Sequence, residues 1–420
     1  MSQRPGVTYA RGAYVTPGLW DMHAHTTYAN RGEVERAFFG PLVAHGVVGI
    51  RDPASRFPIE QVRRWRAAIS DGTLVGPRIA AVGGVVDARI TTIGTIVVRN
   101  EDEARHAVEL LKRDGYDFVK PYNDLSTDSY RALTAQARRL GIPVAGHLPY
   151  TVDARTASDA GQRSIEHLTN LWFEAASSGD VIRARILSGL ARGESPVALF
   201  QVKIDSLFPL AFQTYDAEKE HELFAYFVRN STWQTPTLIV DRRYLRCGAA
   251  GDSEEDASVL RLVPRWVRAS GRALSQFLAR LTPEQCATLA ALYRREAAMV
   301  GRMQRAGVGL LAGTDAPQAY LAPGPSLHDE LDALVSDAGL TPLEALRTAT
   351  VNAARFFDSV DSAGAVRSGY VADLVLLDAN PATDIRNLRR IRAVILRGRL
   401  LDRAALDALL AEAERVAGGR

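Results

Sequence analysis

PGLWDMHAHTTY, residues 17–28, places two histidines one residue apart behind a short apolar run. In an extended strand, residues two apart point the same way, so His23 and His25 share a face and Asp21 shares it with them. Imidazole nitrogens grouped on one face suit Zn²⁺ and similar divalent ions. The pair alone reads equally well as two buried, hydrogen-bonded histidines. The decision rests on whether other strands end in the same chemistry.

Short apolar runs recur at 18–25, 46–52, 78–86, 118–122, 143–148, 164–168, 234–240 and 307–315. Amphipathic stretches lie between most of them. Residues 101–115 and 126–141 carry apolar positions at helical spacing, and each stretch stops on glycine; the second opens on a Ser/Thr cap. Eight strand–helix units in series predict an α/β fold, a parallel (β/α)8 TIM barrel, with an open doubly wound sheet as the alternative. Residues 169–233, and the link from the seventh strand to the eighth, are long and carry helical patterns and aromatics. In a barrel such links face the active site, as lids or specificity segments. Residues 341–357 read as one more helix. The stretches GAVRSGYVADLVLLDANP and IRAVILRGRLL read as strands of a small β element outside the barrel, and RAALDALLAEAERVA as a closing helix. The expected organisation is a short N-terminal β segment (1–17), the barrel (18–358), and C-terminal β-sandwich strands with a terminal helix (359–420).

The composition is that of an ordinary globular protein, 47% hydrophobic and 24% charged. A net charge of +3 and the lack of a Lys/Arg run interleaved with aromatics argue against a nucleic-acid partner. No apolar stretch is long enough for a membrane span, and the first residues lack a signal-peptide core. The two cysteines, Cys247 and Cys286, form no CxxC and read as separate thiols, which leans the chain toward the cytoplasm. Association with a second copy stays open.

His147 ends IPVAGH, His167 ends RSIEH, and Asp315 closes VGLLAGTD. Each follows an apolar run and precedes a loop. These are C-terminal strand ends, where a barrel gathers its catalytic groups. One such residue would read as a loop cap; together with His23 and His25 they read as a metal site. Lys120, in DFVKPYN, is one of only four lysines in the chain. A buried ammonium is costly, and beside metal cations it is repelled. Either a carboxylate pairs with it, or the neutral amine takes up CO₂ as a carbamate able to bridge two ions. Tyr122 shares its face; its phenol reads equally as a donor to a substrate oxyanion or as packing.

At these residues the chain resembles the amidohydrolase superfamily, within it the imidazolonepropionase-like and prolidase-like branch. PGLWDMHAH, DFVKPY, VAGHLP, SIEHLT and LLAGTDAP are similar to that family's first-, fourth-, fifth-, sixth- and eighth-strand motifs, in order. SLHDELDALVSDAGLTPLEALRTATVNAA and GYVADLVLLD resemble its C-terminal signature. The resemblance implies two divalent ions, Zn²⁺ or else Mn²⁺ or Co²⁺. His23, His25 and Asp315 would hold one, His147 and His167 the other, with carboxylated Lys120 between them. It implies a hydrolase acting on a C–N amide bond of a small molecule, a dipeptide or N-acyl amino acid, with Asp315 moving the proton. A cyclic amide or imidazolone, or an ester, lactone or organophosphate, are the alternative substrates; a non-catalytic metal-binding protein is the alternative of another class.

Members of the family begin with several strands before the first metal motif, where this chain has only GVTYARGAYVTPG. Either the start is truncated, or the sandwich is reduced to the C-terminal strands plus one. His328 reads as structural, and His45, His106 and His221 as outside the site. Substrate choice falls to the loops 86–100, 169–233 and 241–300. Arg183, Arg185, Arg242 and Arg243 there are candidates for a substrate carboxylate, although surface exposure is the simpler reading for each.

Overall fold

The structure is a computed structural model and describes residues 12–25, 35–55, 57–92, 94–168, 170–247 and 259–418. Its centre is a curled parallel sheet of seven strands: β2 (Leu19–Asp21), β3 (Val47–Asp52), β4 (Arg78–Asp87), β6 (Phe118–Pro121), β7 (Val144–Gly146), β8 (Gln162–Glu166) and β9 (Trp233–Thr235), paired in that order. A two-residue strand, β5 (Ile96–Val97), adds to the end of β4.

The eighth position is filled by an extended segment, not by a regular strand. Leu311 N donates to Gln234 O (2.9 Å) on one side, and Met22 N donates to Ala312 O (2.9 Å) on the other. The segment therefore lies between β9 and β2 and links the two edges of the sheet. Glycines permit this closeness. A Cβ on Gly313 would stand 2.7 Å from the His23 and Thr235 side chains, and one on Gly309 would stand 2.5 Å from the Trp233 ring.

The helices follow from local signals. Asn100 accepts from Glu103 N to cap Glu101–Asp114, which ends at Gly115 with φ 90°. Ser126 caps Thr127–Leu140 in the same way, and Gly141 ends it. The expected helix over 341–357 is two helices, Pro342–Thr348 and Val351–Phe356. The break has a use: Ala349 O accepts from Trp20 N (2.8 Å) and Thr348 O from Ala312 N (3.2 Å), which ties the helix pair to the sheet. The expected seventh strand, 234–240, stops at Thr235. Thr237 takes a positive φ of 48° and the chain enters a short helix, Leu238–Arg242.

Both long links are helical, and they pack on each other: Ile204 and Phe208 from the first share an apolar cluster with Leu278, Leu289 and Leu292 from the second. In the second link Cys247 and Cys286 are bonded, with Cα atoms 5.5 Å apart, which corrects their reading as separate thiols. Helix Pro283–Arg305 brings Cys286 back beside the turn that carries Cys247. A spacing of 39 residues leaves no local motif for this, and the composition-based lean toward a reducing compartment loses its support. Among the described residues no helix is long and apolar enough to cross a membrane.

Among the described residues the C-terminal β element is a single antiparallel sheet. Strands β1 (Tyr14–Pro17), β10 (Leu374–Leu377), β11 (Ile391–Leu396) and β12 (Arg399–Leu401) pair in that order. Val375, Leu377, Ile391 and Val394 join the main core, and the closing helix Arg403–Ala417 adds Leu406.

Candidate metal centre

His23 and His25 leave the end of β2 and point at Asp315 from the closing segment. His25 Nε2 lies 2.8 Å and His23 Nε2 3.4 Å from Asp315 Oδ1. One donor atom from each of the three falls within a 4.8 Å group, a spacing a single ion can span. Asp21, expected on the same face, is instead a brace. Fully buried, it accepts from His23 N (3.2 Å), Thr314 N (3.1 Å) and Thr314 Oγ1 (2.6 Å), locking β2 to the closing segment.

His147 follows β7 and His167 follows β8. Their rings meet edge to face at 4.9 Å, and His167 lies 4.3 Å from the His23 ring. Three of the histidines are held through Nδ1. His23 Nδ1–H donates to Glu166 Oε2 at 2.7 Å, His147 Nδ1–H to Asn123 Oδ1 at 2.9 Å, and His167 Nδ1 bonds Thr237 Oγ1 at 2.8 Å. Such anchoring fixes the ring and leaves Nε2 as the remaining ligand atom. The buried Nε2 atoms of His23 and His147 have no hydrogen-bond partner among the described residues. A buried polar atom left over in this way fits a metal ion. Burial, with Lys120 and the neighbouring rings, holds His147 well below the usual histidine range and His167 at about 3, so both are neutral and keep their lone pairs. Burial alone would raise the Asp315 carboxyl, but His167, His23 and His25 outweigh it and hold it well below the usual range.

Lys120 is 2% exposed at the centre of this group. Among the described residues its ammonium has no carboxylate within 4 Å, and its Nζ lies 5.4 Å from the centroid of the Tyr122 ring. Burial lowers its pKa to about 8, against the pull of Asp315, Glu166 and Asp52. Tyr122 stacks on His147 with ring centroids 4.0 Å apart.

Beneath these residues lies an arrangement the sequence reading missed. Arg51, 1% exposed, donates through Nη2 to both oxygens of Glu166 (2.8 and 2.7 Å), through Nη1 to Ser164 Oγ (2.8 Å) and through Nε to Met22 O (2.5 Å). Ser164 also donates to Glu166. Burial would raise the Glu166 carboxyl, but Arg51 and His23 hold it far below the carboxylate range. The signal was present in GIRD and SIEH: two opposite charges inside otherwise apolar strands need one another.

The other histidines fall outside. His328 Nε2 bonds His45 O at 2.8 Å and His45 Nδ1 bonds Pro41 O at 2.7 Å, a buried structural tie. His106 and His221 are exposed.

The amidohydrolase family's sequence profile matches residues 265–401. Ochratoxinase of Aspergillus niger is 38% identical over 91 residues, a match spanning 21% of this chain and only 18% of that enzyme. Among solved structures, bottromycin amidohydrolase superposes with a TM-score of 0.68 at 24% identity, covering 97% of this chain and 81% of that one. A Xaa-Pro dipeptidase gives 0.63 at 19% identity over 93% and 87%. Ochratoxinase gives 0.61 at 21% identity over 92% and 83%. Residues 265–401 therefore match the amidohydrolase family's profile, and the fold of nearly the whole chain is similar to that of these solved structures.

Proposed function

We propose that this protein is a metal-dependent hydrolase that cleaves the C–N amide bond of a small molecule, a dipeptide or an N-acyl amino acid. The observation that carries the reading is the convergence of His23, His25, His147, His167 and Asp315 near the buried Lys120. Two divalent ions, held by His23, His25 and Asp315 and by His147 and His167 with a carboxylated Lys120 between them, would supply a hydroxide near neutral pH and polarise the scissile carbonyl. The names of the structural relatives, an amidohydrolase and a dipeptidase, support amide chemistry.

The protein's own groups do the rest. Asp315 is ionised at neutral pH and accepts the nucleophile's proton, then returns it to the leaving nitrogen, which departs as an amine. Tyr122, held flat against His147, offers its phenol to the developing oxyanion. Glu166 and Asn123 keep the His23 and His147 rings turned so that Nε2 stays inward.

The test combines metal analysis, with and without bicarbonate, with a screen of dipeptides and N-acyl amino acids. Two equivalents of metal in bicarbonate, falling when it is withheld, support the bridged pair. A stoichiometry near one that bicarbonate does not alter removes the role given to Lys120. Hydrolysis lost in Asp315→Asn and His23→Ala, with the fold intact, supports the enzyme. Metal-loaded protein that hydrolyses no amide or ester in a broad library would make the site a non-catalytic one.

A further inference from the structure

The arginines that the sequence offers for a substrate carboxylate are committed to the fold or to solvent. Arg183 pairs with Glu174 and donates to Tyr150 O (2.8 Å) and Val152 O (3.0 Å). Arg242 sits between Asp332 (3.6 Å) and Asp337 (3.3 Å). Arg243 gives Nε to Val240 O (2.7 Å) and Nη1 to Gln318 Oε1 (3.1 Å) and Ala319 O (2.8 Å), and Arg185 is exposed. Uncommitted arginines gather at the other end of the barrel. Two adjoining cavities, of about 640 and about 330 Å³, open there. They lie against Val144 and Gln162, where β7 and β8 begin, and against Gly307 and Gly309, which lead into the closing segment. His147, His167 and Asp315 follow the opposite ends of these elements. The cavities share Ser231, Trp233 and Arg355 and so form one groove.

Arg138 lines the larger cavity, Arg347 the smaller, and Arg355 both. All three are exposed, and among the described residues none has a carboxylate within 4 Å or donates a side-chain hydrogen bond. The two carboxylates of the groove are already engaged. Asp358 meets Arg163 Nη2 at 2.8 Å, and Glu344 caps its own helix, accepting from Thr341 N (2.8 Å) and Thr341 Oγ1 (2.7 Å). One exposed arginine is an ordinary solvated side chain. Three around one concave surface repel each other and focus a positive field into it. Trp233 adds a second kind of contact. Its ring is packed so closely that a Cβ on Gly309 would stand 2.5 Å from it, and Phe356 meets it edge to face at 6.1 Å. Half-buried, it lines both cavities, and its indole N–H has no acceptor among the described residues. A fixed aromatic ring beside cations is a platform for a flat base. The volumes are those of small-molecule sites, about 300–1,000 Å³, and exceed the needs of an inorganic ion.

We infer that this groove is a second ligand site and binds a nucleoside polyphosphate, with the base at Trp233 and the phosphates on Arg355 and Arg138. The larger cavity holds both of these arginines, and guanidinium forks match phosphate oxygens in bidentate pairs. Arg347 adds to the field from the smaller cavity. The site opens away from His23 and Asp315, so the inference stands apart from the amide-hydrolase reading and does not need it.

The experiment is calorimetric titration of metal-loaded full-length protein with ADP, and with pyrophosphate and adenosine separately. ADP is expected to bind saturably, about tenfold or more tighter than either part, as for one stacked base joined to charged phosphate contacts. Arg355→Met and Arg138→Met each weaken ADP by about tenfold or more, and added salt weakens it further. Trp233→Leu brings ADP close to pyrophosphate; if that variant does not fold, the two exposed arginines still decide. His147→Ala, which breaks the candidate metal centre, leaves ADP binding unchanged. No saturable binding at about 1 mM ADP overturns the proposal. So does affinity unaltered in both arginine variants, or pyrophosphate binding as tightly as ADP. Binding that is lost in His147→Ala and kept in Arg355→Met puts the nucleotide at the metal centre and overturns it as well.

Discussion

Glu166→Gln removes one charge and almost no volume, and it separates the two roles of that carboxylate. In the native site the carboxylate receives His23 Nδ1–H (2.7 Å), two contacts from Arg51 Nη2 (2.8 and 2.7 Å) and Ser164. Glutamine keeps one acceptor oxygen, which can still serve His23, but it leaves the Arg51 guanidinium buried at 1% exposure without an anion. Leaving one member of a buried pair unpaired costs about 3–5 kcal/mol. Urea unfolding of metal-free Glu166→Gln should show a loss of that order. Weakened anchoring of His23 should also lower affinity for the ion, by about 10- to 100-fold, in chelator competition. The double variant Arg51→Met, Glu166→Gln should recover much of the stability, since the uncompensated cation is gone, but not the metal affinity. A Glu166→Gln protein within about 1 kcal/mol of wild type and with unaltered metal affinity would refute both assignments.

Burial raises the pKa of Glu330 to about 8, partly offset by the amide N–H groups of Ile239 and Leu238. Its folded form holds a proton that the unfolded chain releases near pH 4.3, so its contribution to stability falls as pH rises from there to about 8, by at most about 1.4 kcal/mol per pH unit. Glu330→Gln should flatten the denaturation midpoint over that range; an identical pH profile would contradict the protonated state. Cys247 and Cys286 close a segment of 39 residues. Their reduction, or Cys286→Ser, should cost roughly 2–4 kcal/mol in denaturant unfolding, and no difference between oxidised and reduced protein would rule out a stabilising bond. Tyr122→Phe should lower kcat about 100-fold on any amide substrate while metal content and melting temperature hold, as for loss of one oxyanion donor; unchanged kcat would reduce Tyr122 to packing against His147.

The candidate site positions were legible because they obey two simple regularities. Strands end, and the residue at the end is polar; His23, His147, His167 and Asp315 were found that way. The helices Glu101–Asp114 and Thr127–Leu140 were legible from caps and glycine stops. What was not legible depends on partners distant in sequence. Glu166 meets Arg51 across 115 residues, and Cys247 meets Cys286 through the return of a long helix. The seventh strand was read too long because PTLIV is apolar and β-branched. Thr237 instead turns there to bond His167, and a tertiary contact overrides local propensity.

Strand alternation itself gives out at the site, and this explains both the missed carboxylate and the geometry of the centre. Consecutive residues of a regular strand face opposite sides, so Glu166 and His167 should not both reach the barrel interior. Both do: Glu166 bonds His23, and the His167 ring lies 4.3 Å from the same histidine. The reconciling fact is a positive φ of 63° at His167, which turns its side chain back over the end of the strand. Asp315 repeats the device with φ 57°: Thr314 bonds Asp21 below while Asp315 meets His25 above. Such conformations cost about 1–3 kcal/mol each in residues other than glycine, and they persist only where the surroundings enforce them. Here the enforcement is visible, because Thr237 holds His167 and Gln318 holds Asp315. The backbone inversions stack two layers of polar groups at single strand ends, the candidate site residues above and their buried supports below. A reading that assigns each strand residue to one face recovers the upper layer alone.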